Sequence, residues 1–183
     1  MTQQDISLHS QLLNKLFAHK SRTRAVFGEV LGLYEIHYLS VAYVNQKREL
    51  LVLSSTPSLD YNLFSSPLWR LDKTYSPSWF EQCGQASWQS LYSAERYDEL
   101  YYIKQVKSRY PLGLSMAAKL DNQYVIYSIA SRIDLEYTRE LFATHHDDFY
   151  KIGQYCTMHL LSLLLENDER LPMVMQPQMK GTL

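Results

Sequence analysis

Imidazole and carboxylate side chains are packed most densely at His145-His146-Asp147-Asp148, a composition that binds metals or moves protons. Adjacent side chains on a helix diverge, however, so a metal or a proton relay here needs ligands from elsewhere in the chain. Asp147 and Asp148 read more simply as the cap and first-turn acids of a final helix. Phosphate chemistry has no loop to sit on, since the chain holds six glycines and Gly28-x-x-x-Gly32 lacks the Lys-Ser/Thr continuation. A Gly-x-Ser-x-Gly nucleophile elbow is also absent. The two cysteines, Cys83 and Cys156, stand in neither a Cys-x-x-Cys nor a Cys/His spacing and read as reduced thiols. The expectation is a chain that is not an enzyme and carries neither a cofactor nor a metal.

Binding chemistry is better represented. Trp69, Tyr75, Trp79, Phe80 and Trp88 crowd a segment broken by Pro67 and Pro77. Such aromatics either clamp a long loop onto the fold or form the wall of a pocket. Tyr43 and Tyr61 join them as candidate ligand-binding residues. Tyrosine is the one compositional bias, with 15 among 183 residues, and it suits half-polar pockets because it joins an apolar ring to a hydroxyl. The formal net charge of −1 gives no global field for nucleic acid or anionic lipid. One local cationic cluster, His19-Lys20-Ser21-Arg22-Thr23-Arg24, reads as a solvated helix junction or as a contact for an acidic partner or phosphate.

The elements that must position these residues follow from periodicity. Leu114, Met116, Ala118 and Leu120 alternate with Ser115, Ala117 and Lys119, Asp121-Asn122 supplies a two-residue turn, and a strand rich in β-branched and aromatic residues returns. That hairpin spans 112–133, and its return strand differs little between its two faces, which predicts cover on both sides. A second hairpin is predicted at 36–44 and 49–54, with helices at 7–20, 24–33, from Ser58, 93–110, 135–143 and 147–167. The last carries an apolar stripe through Phe149, Ile152, Cys156, His159, Leu160 and Leu163, suited to a sheet or to a dimer mate. The fold class is therefore α+β: an antiparallel β-sheet covered by helices, organised as one domain over 1–167. Residues 168–183 contain two prolines and no period, and read as a linker or mobile tail. No segment reaches the ~18 apolar residues of a membrane span, so a cytoplasmic location and no membrane partner are expected.

Taken together, Leu59-Asp60-Tyr61-Asn62-Leu63-Phe64, then Ala86-Ser87-Trp88, Leu112-Gly113-Leu114-Ser115 and the strand Tyr124-Val125-Ile126-Tyr127 resemble the sensory N-terminal domain of LuxR-type transcription regulators. The resemblance covers about 7–166 and implies a PAS/GAF-like α-β-α sandwich that holds a small, partly apolar signal between sheet and helices. In the quorum-sensing lactone receptors of that family a tryptophan at the position matched here by Trp88 contacts the lactone end, which assigns Trp88 to the ligand. The family's acid that receives the ligand amide has no close counterpart, Asp72 being the substitute. Tyr127 completes the candidate set. A homodimer through the C-terminal helix is expected from the apolar stripe that helix carries. The family's helix-turn-helix has no room after Asn167, so DNA would be reached only through a domain not present in this chain.

Three readings result. The first is a small-ligand sensory domain of a bacterial regulator. The second is a protein-interaction or dimerisation module whose cavity is filled. The third, with least support, is a small acyltransferase-like enzyme built on His145 or His146.

Overall fold

The computed structural model describes residues 5–165. In chain order these form β1 (Ser7–Leu8), α1 (Leu12–Ala18), α2 (Lys20–Val30), β2 (Tyr38–Val44), β3 (Glu49–Ser54), α3 (Pro57–Phe64), α4 (Pro77–Phe80), β4 (Gln85–Ser87), α5 (Trp88–Leu91), α6 (Tyr97–Tyr101), β5 (Leu112–Leu120), β6 (Gln123–Ser131), α7 (Glu136–Thr144) and α8 (His146–Leu164). Among the described residues, no helix is long and apolar enough to cross a membrane.

The six strands make one sheet in the order β1-β3-β2-β6-β5-β4, with the two hairpins side by side at its centre. Leu120 faces Gln123 across Asp121-Asn122, and Asp121 takes φ 53°, a conformation that aspartate tolerates better than most residues. Val41 pairs with Tyr127 where β2 meets β6, which joins the hairpins. The sheet is covered on both faces, as its nearly uniform return strand predicts. Leu39, Val41, Tyr43, Leu114, Met116, Val125, Tyr127 and Ile129 pack with α2, α7 and α8. Tyr38, Ala42, Val44, Leu50, Val52, Ala117, Ile126 and Ala130 face the other way, beneath α1, α3 and the Trp-bearing segment. One methyl-free position sets the distance on the first side: a Cβ at Gly153 of α8 would come within 2.5 Å of the Tyr127 ring.

Four expectations change. The helix predicted at 7–20 begins only at Leu12, because residues 7–8 pair in parallel with β3, Ser7 donating to the Arg48 carbonyl and His9 to that of Leu50; the open edge of β3 outbids helix propensity there. The helix predicted at 24–33 begins at Lys20, so the cationic cluster starts at the α1–α2 junction, where His19 caps both helices, and continues along the first turns of α2. The helix predicted at 93–110 is broken into a 3-10 turn (Ala94–Arg96), α6, and a π-helical turn over Tyr102–Val106. His159 is exposed on α8, its ring 4.4 Å from that of Tyr155, and is not a core residue. The apolar stripe beside it is consumed by the sheet and α2. The final helix ends at Leu164 with Leu165 as its cap, and positions 166–167 of its predicted range and the tail at 168–183 lie outside the described residues.

Candidate functional site

Side chains with chemistry concentrate beneath the segment 57–111, on the sheet face opposite α8. At the centre is Trp88, fully buried at the start of α5. A Cβ on Gly113 of β5 would fall 2.3 Å from its ring, so the glycine is what lets the indole lie flat against the strand. Tyr38 meets the indole edge to face, with centroids 5.6 Å apart. The indole Nε1 is buried without a hydrogen-bond acceptor among the described residues, a donor whose desolvation is uncompensated.

Lys104 lies over that ring, its Nζ 4.3 Å from the centroid and 5.4 Å from that of Tyr92. It donates to Asp72 Oδ2 at 2.7 Å, and both side chains are almost wholly buried, at 2% and 0% exposure. Asp72 Oδ1 accepts from the Thr74 amide at 3.0 Å. The π-helical turn explains how a lysine comes to be inside. Its wider ring, closed where Lys107 N donates to the Tyr102 carbonyl, turns the consecutive residues Lys104 and Gln105 inward and leaves Tyr102 and Val106 outside. Gln105 then accepts from Tyr92 Oη at 2.9 Å and donates to the Pro111 carbonyl at 2.8 Å.

A second acid sits a short way along the same layer. Asp60 of α3 is fully buried and accepts from Tyr38 Oη at 3.0 and 3.1 Å. Burial pushes its carboxyl up to about 6, against the opposing pull of hydrogen bonds from Ser54 and Tyr38 and of the Lys104 charge. Burial first, and Asp60 second, hold the Tyr38 and Tyr75 phenols well above their ordinary range. Hydroxyls of Thr74, Ser115 and Ser128 form a chain with spacings of 3.3 and 3.1 Å between Asp72 and the sheet. The layer thus offers an ion pair, a weakly acidic carboxyl, phenols and hydroxyls between aromatic walls, groups able to recognise a partner by hydrogen bonds.

The predicted site residues divide. Trp88, Tyr75, Trp69 and Asp72 are brought together; Phe64 links the Trp69 and Tyr75 rings at 6.2 and 5.0 Å. Trp79 packs half-buried at the rim of this cluster beside Gly84. Tyr61 is exposed on the outer side of α3, its ring edge against Phe17. Tyr43 and Tyr127 belong to the opposite face: strand alternation turns them toward α8, where Tyr43 bonds Gln123 and Tyr127 accepts from Thr157 at 3.4 Å. Those two tyrosines cannot share a pocket with Trp88. His145 and His146 diverge as expected, to Asp148 at 3.0 Å and to Gln85 at 2.6 Å. Among the described residues, no three His, Cys, Asp or Glu side chains converge on a metal position.

Sequence reasoning missed Tyr38, Asp60 and Lys104. Asp60 carried a signal, since it falls on the helical stripe of Leu59, Leu63 and Phe64 where an apolar residue belongs. Lys104 carried none, because only the π turn aims it inward.

No protein-family model matches the chain, and no curated protein matches it. Solved structures do. The VqsR ligand-binding domain of Pseudomonas aeruginosa is similar at TM-score 0.52 and 16% identity, over 81% of this chain and 96% of that one. SdiA in complex with octanoyl-rac-glycerol is similar at TM-score 0.51 and 14% identity, over 94% and 70%. Escherichia coli SdiA in the space group P6522 gives 0.49 at 17% identity, over 87% and 67%. At these identities the likeness is one of fold: this chain adopts the fold seen in the VqsR ligand-binding domain and in SdiA.

Proposed function

We propose that this chain is a non-catalytic sensory domain that receives a small, partly apolar signal in the layer around Trp88, Asp72 and Tyr38 and reports it to a bacterial signalling or transcription regulator in the cytoplasm. The observation that carries this reading is the buried pair Lys104–Asp72 lying on the Trp88 indole, whose own N–H has no acceptor. An apolar core of the same volume is commonly as stable or more so. Charged and unpaired polar groups gathered against aromatics therefore support recognition over packing. Trp69 and Tyr75 wall the layer and Trp79 forms its rim. Tyr43, Tyr61 and Tyr127 act on the signal only indirectly, through the sheet or α3. Association of two copies along the outer side of α8, where Met158 is exposed, and DNA binding through a domain outside this chain belong to the same reading.

One observation favours the second reading, an interaction module with a filled interior. Lys104 with Asp72, Tyr38 with Asp60, and Tyr92 with Gln105 already satisfy one another.

Thermal melts and native mass spectrometry separate the two. The probes are 1-octanoyl-glycerol and N-octanoyl homoserine lactone, each also run against Trp88→Phe. A sensor gains about 2.7 kcal/mol from a probe held at ~100 times its dissociation constant, and loses that gain in the variant. A chain that runs as a stable dimer, copurifies with nothing and shifts with neither probe is the filled module.

A further inference from the structure

The cationic cluster on α2 has no part in the Trp88 layer, yet it borders a groove of about 360 Å³ between α1–α2 and the corner where β3 turns into α3. Phe17, Phe27 and Leu31 give this groove apolar walls, Ser58 stands at the start of α3, and Lys20 and Arg24 stand at its edge. Among the described residues its lining includes no acidic one. Lys20 and Arg24 are four positions apart on one helix, hence on one side of it, and both are exposed. The Lys20 ammonium lies 5.6 Å from the Phe17 centroid. Arg22, between them in sequence, points elsewhere and donates to the His159 carbonyl at 3.1 Å.

Gly28 is the independent sign. It lies inside α2, where glycine costs about 1 kcal/mol relative to alanine. Neither of the usual reasons for glycine applies: its φ is not positive, and a Cβ built there meets nothing within 4 Å. What the missing side chain does is leave the groove open along α2.

We propose that this groove binds a free single-chain amphiphilic anion, its carboxylate or phosphate paired with Lys20 and Arg24 and its apolar chain lying along Phe17, Phe27 and Leu31 over Gly28. The volume is at the lower end of the ~300–1,000 Å³ of small-ligand pockets. The groove touches the α8 side of the sheet through Phe27 and the β3–α3 corner through Ser54 and Ser58, while Trp88, Lys104, Asp72 and Tyr38 are not among its lining residues.

The test is calorimetry of the full chain with decanoate below its micellar concentration, with decanol and decyltrimethylammonium as controls, and with phosphatidylglycerol vesicles in a sedimentation arm. Decanoate should bind at least about tenfold more tightly than either control and weaken as salt rises. The pair Lys20→Glu with Arg24→Glu should lose about tenfold or more. Gly28→Leu, which fills the groove while improving helix propensity, should abolish binding with its melting temperature unchanged or raised. Decanoate binding that survives Gly28→Leu, decanol binding of equal strength, or binding to vesicles without binding to monomeric decanoate overturns the proposal.

Discussion

Asp60 makes the stability of this chain depend on pH in a direction opposite to that of most carboxylates. Its carboxyl rises from the ordinary 3.8 to about 6 in the folded state, chiefly because burial penalises the charge. Below about pH 3 the group is protonated folded or unfolded, and the fold keeps its full contribution. Between about 4 and 6 only the folded chain still holds the proton, so stability falls as pH rises. Above 6 the folded chain carries a buried carboxylate, and the contribution is gone. The gap between 3.8 and about 6, at about 1.4 kcal/mol per tenfold change in proton affinity, amounts to about 3 kcal/mol. Asp60→Asn removes the titration while its carboxamide oxygen still accepts from Tyr38. Urea denaturation of both chains, read by tryptophan fluorescence from pH 4 to 8, isolates this group from every other titrating one. The stability of the parent chain minus that of the variant should fall by about 2.4 kcal/mol across that range, the remainder of the gap lying below pH 4, and most of the fall comes between 4 and 6. A difference that stays flat, or that grows with pH, refutes the reasoning, since the latter means that Tyr38, Ser54 and Lys104 outweigh desolvation.

Two more predictions come from the same interior. Lys104→Met should destabilise the fold by about 3–5 kcal/mol, because it leaves the Asp72 charge buried without its partner, and adding Asp72→Asn should recover most of that loss; additive effects in the double-mutant cycle would rule out the pair. Cys83 is exposed, whereas Cys156 is buried on α8 with its thiol pushed up to about 12, so a thiol reagent at pH 8 should consume one equivalent rapidly and the second only in denaturant. Two rapid equivalents would place Cys156 at the surface.

How far the fold could be read in advance depended on which interactions were local. The central hairpin was legible because alternation over 112–133 and the chemistry of Asp121-Asn122 agree on one register, and a one-residue slip would turn Leu114 and Met116 to the wrong face. Helices α7 and α8 were legible for the same reason at period 3.6. The pairing of residues 7–8 with β3 was not, because the stripe of Ile6, Leu12 and Leu16 fits a helix equally well and only the distant strand edge decides between them. Nor was the break in 93–110, since the choice between an α turn and a π turn there depends on what Lys104 and Gln105 meet across the chain.

The site was legible in its aromatics and obscure in its polar groups, and the polar groups carry more of the argument. A buried tryptophan or tyrosine is what any core of this size contains, so Trp69, Tyr43 and Tyr127 looked alike in sequence although the sheet sends the latter two to its other face. A buried lysine, by contrast, is expensive and must be accounted for. Lys104 is accounted for only by Asp72, Trp88 and Tyr92 together, residues 12 to 32 positions away in the chain. No local pattern encodes such a meeting. It follows that the discriminating part of this layer is the set Lys104, Asp72, Asp60 and the Trp88 N–H, while the surrounding rings supply shape. A substitution that exchanges one ring for another, such as Tyr75→Phe, should therefore alter the layer less than any change to those four groups.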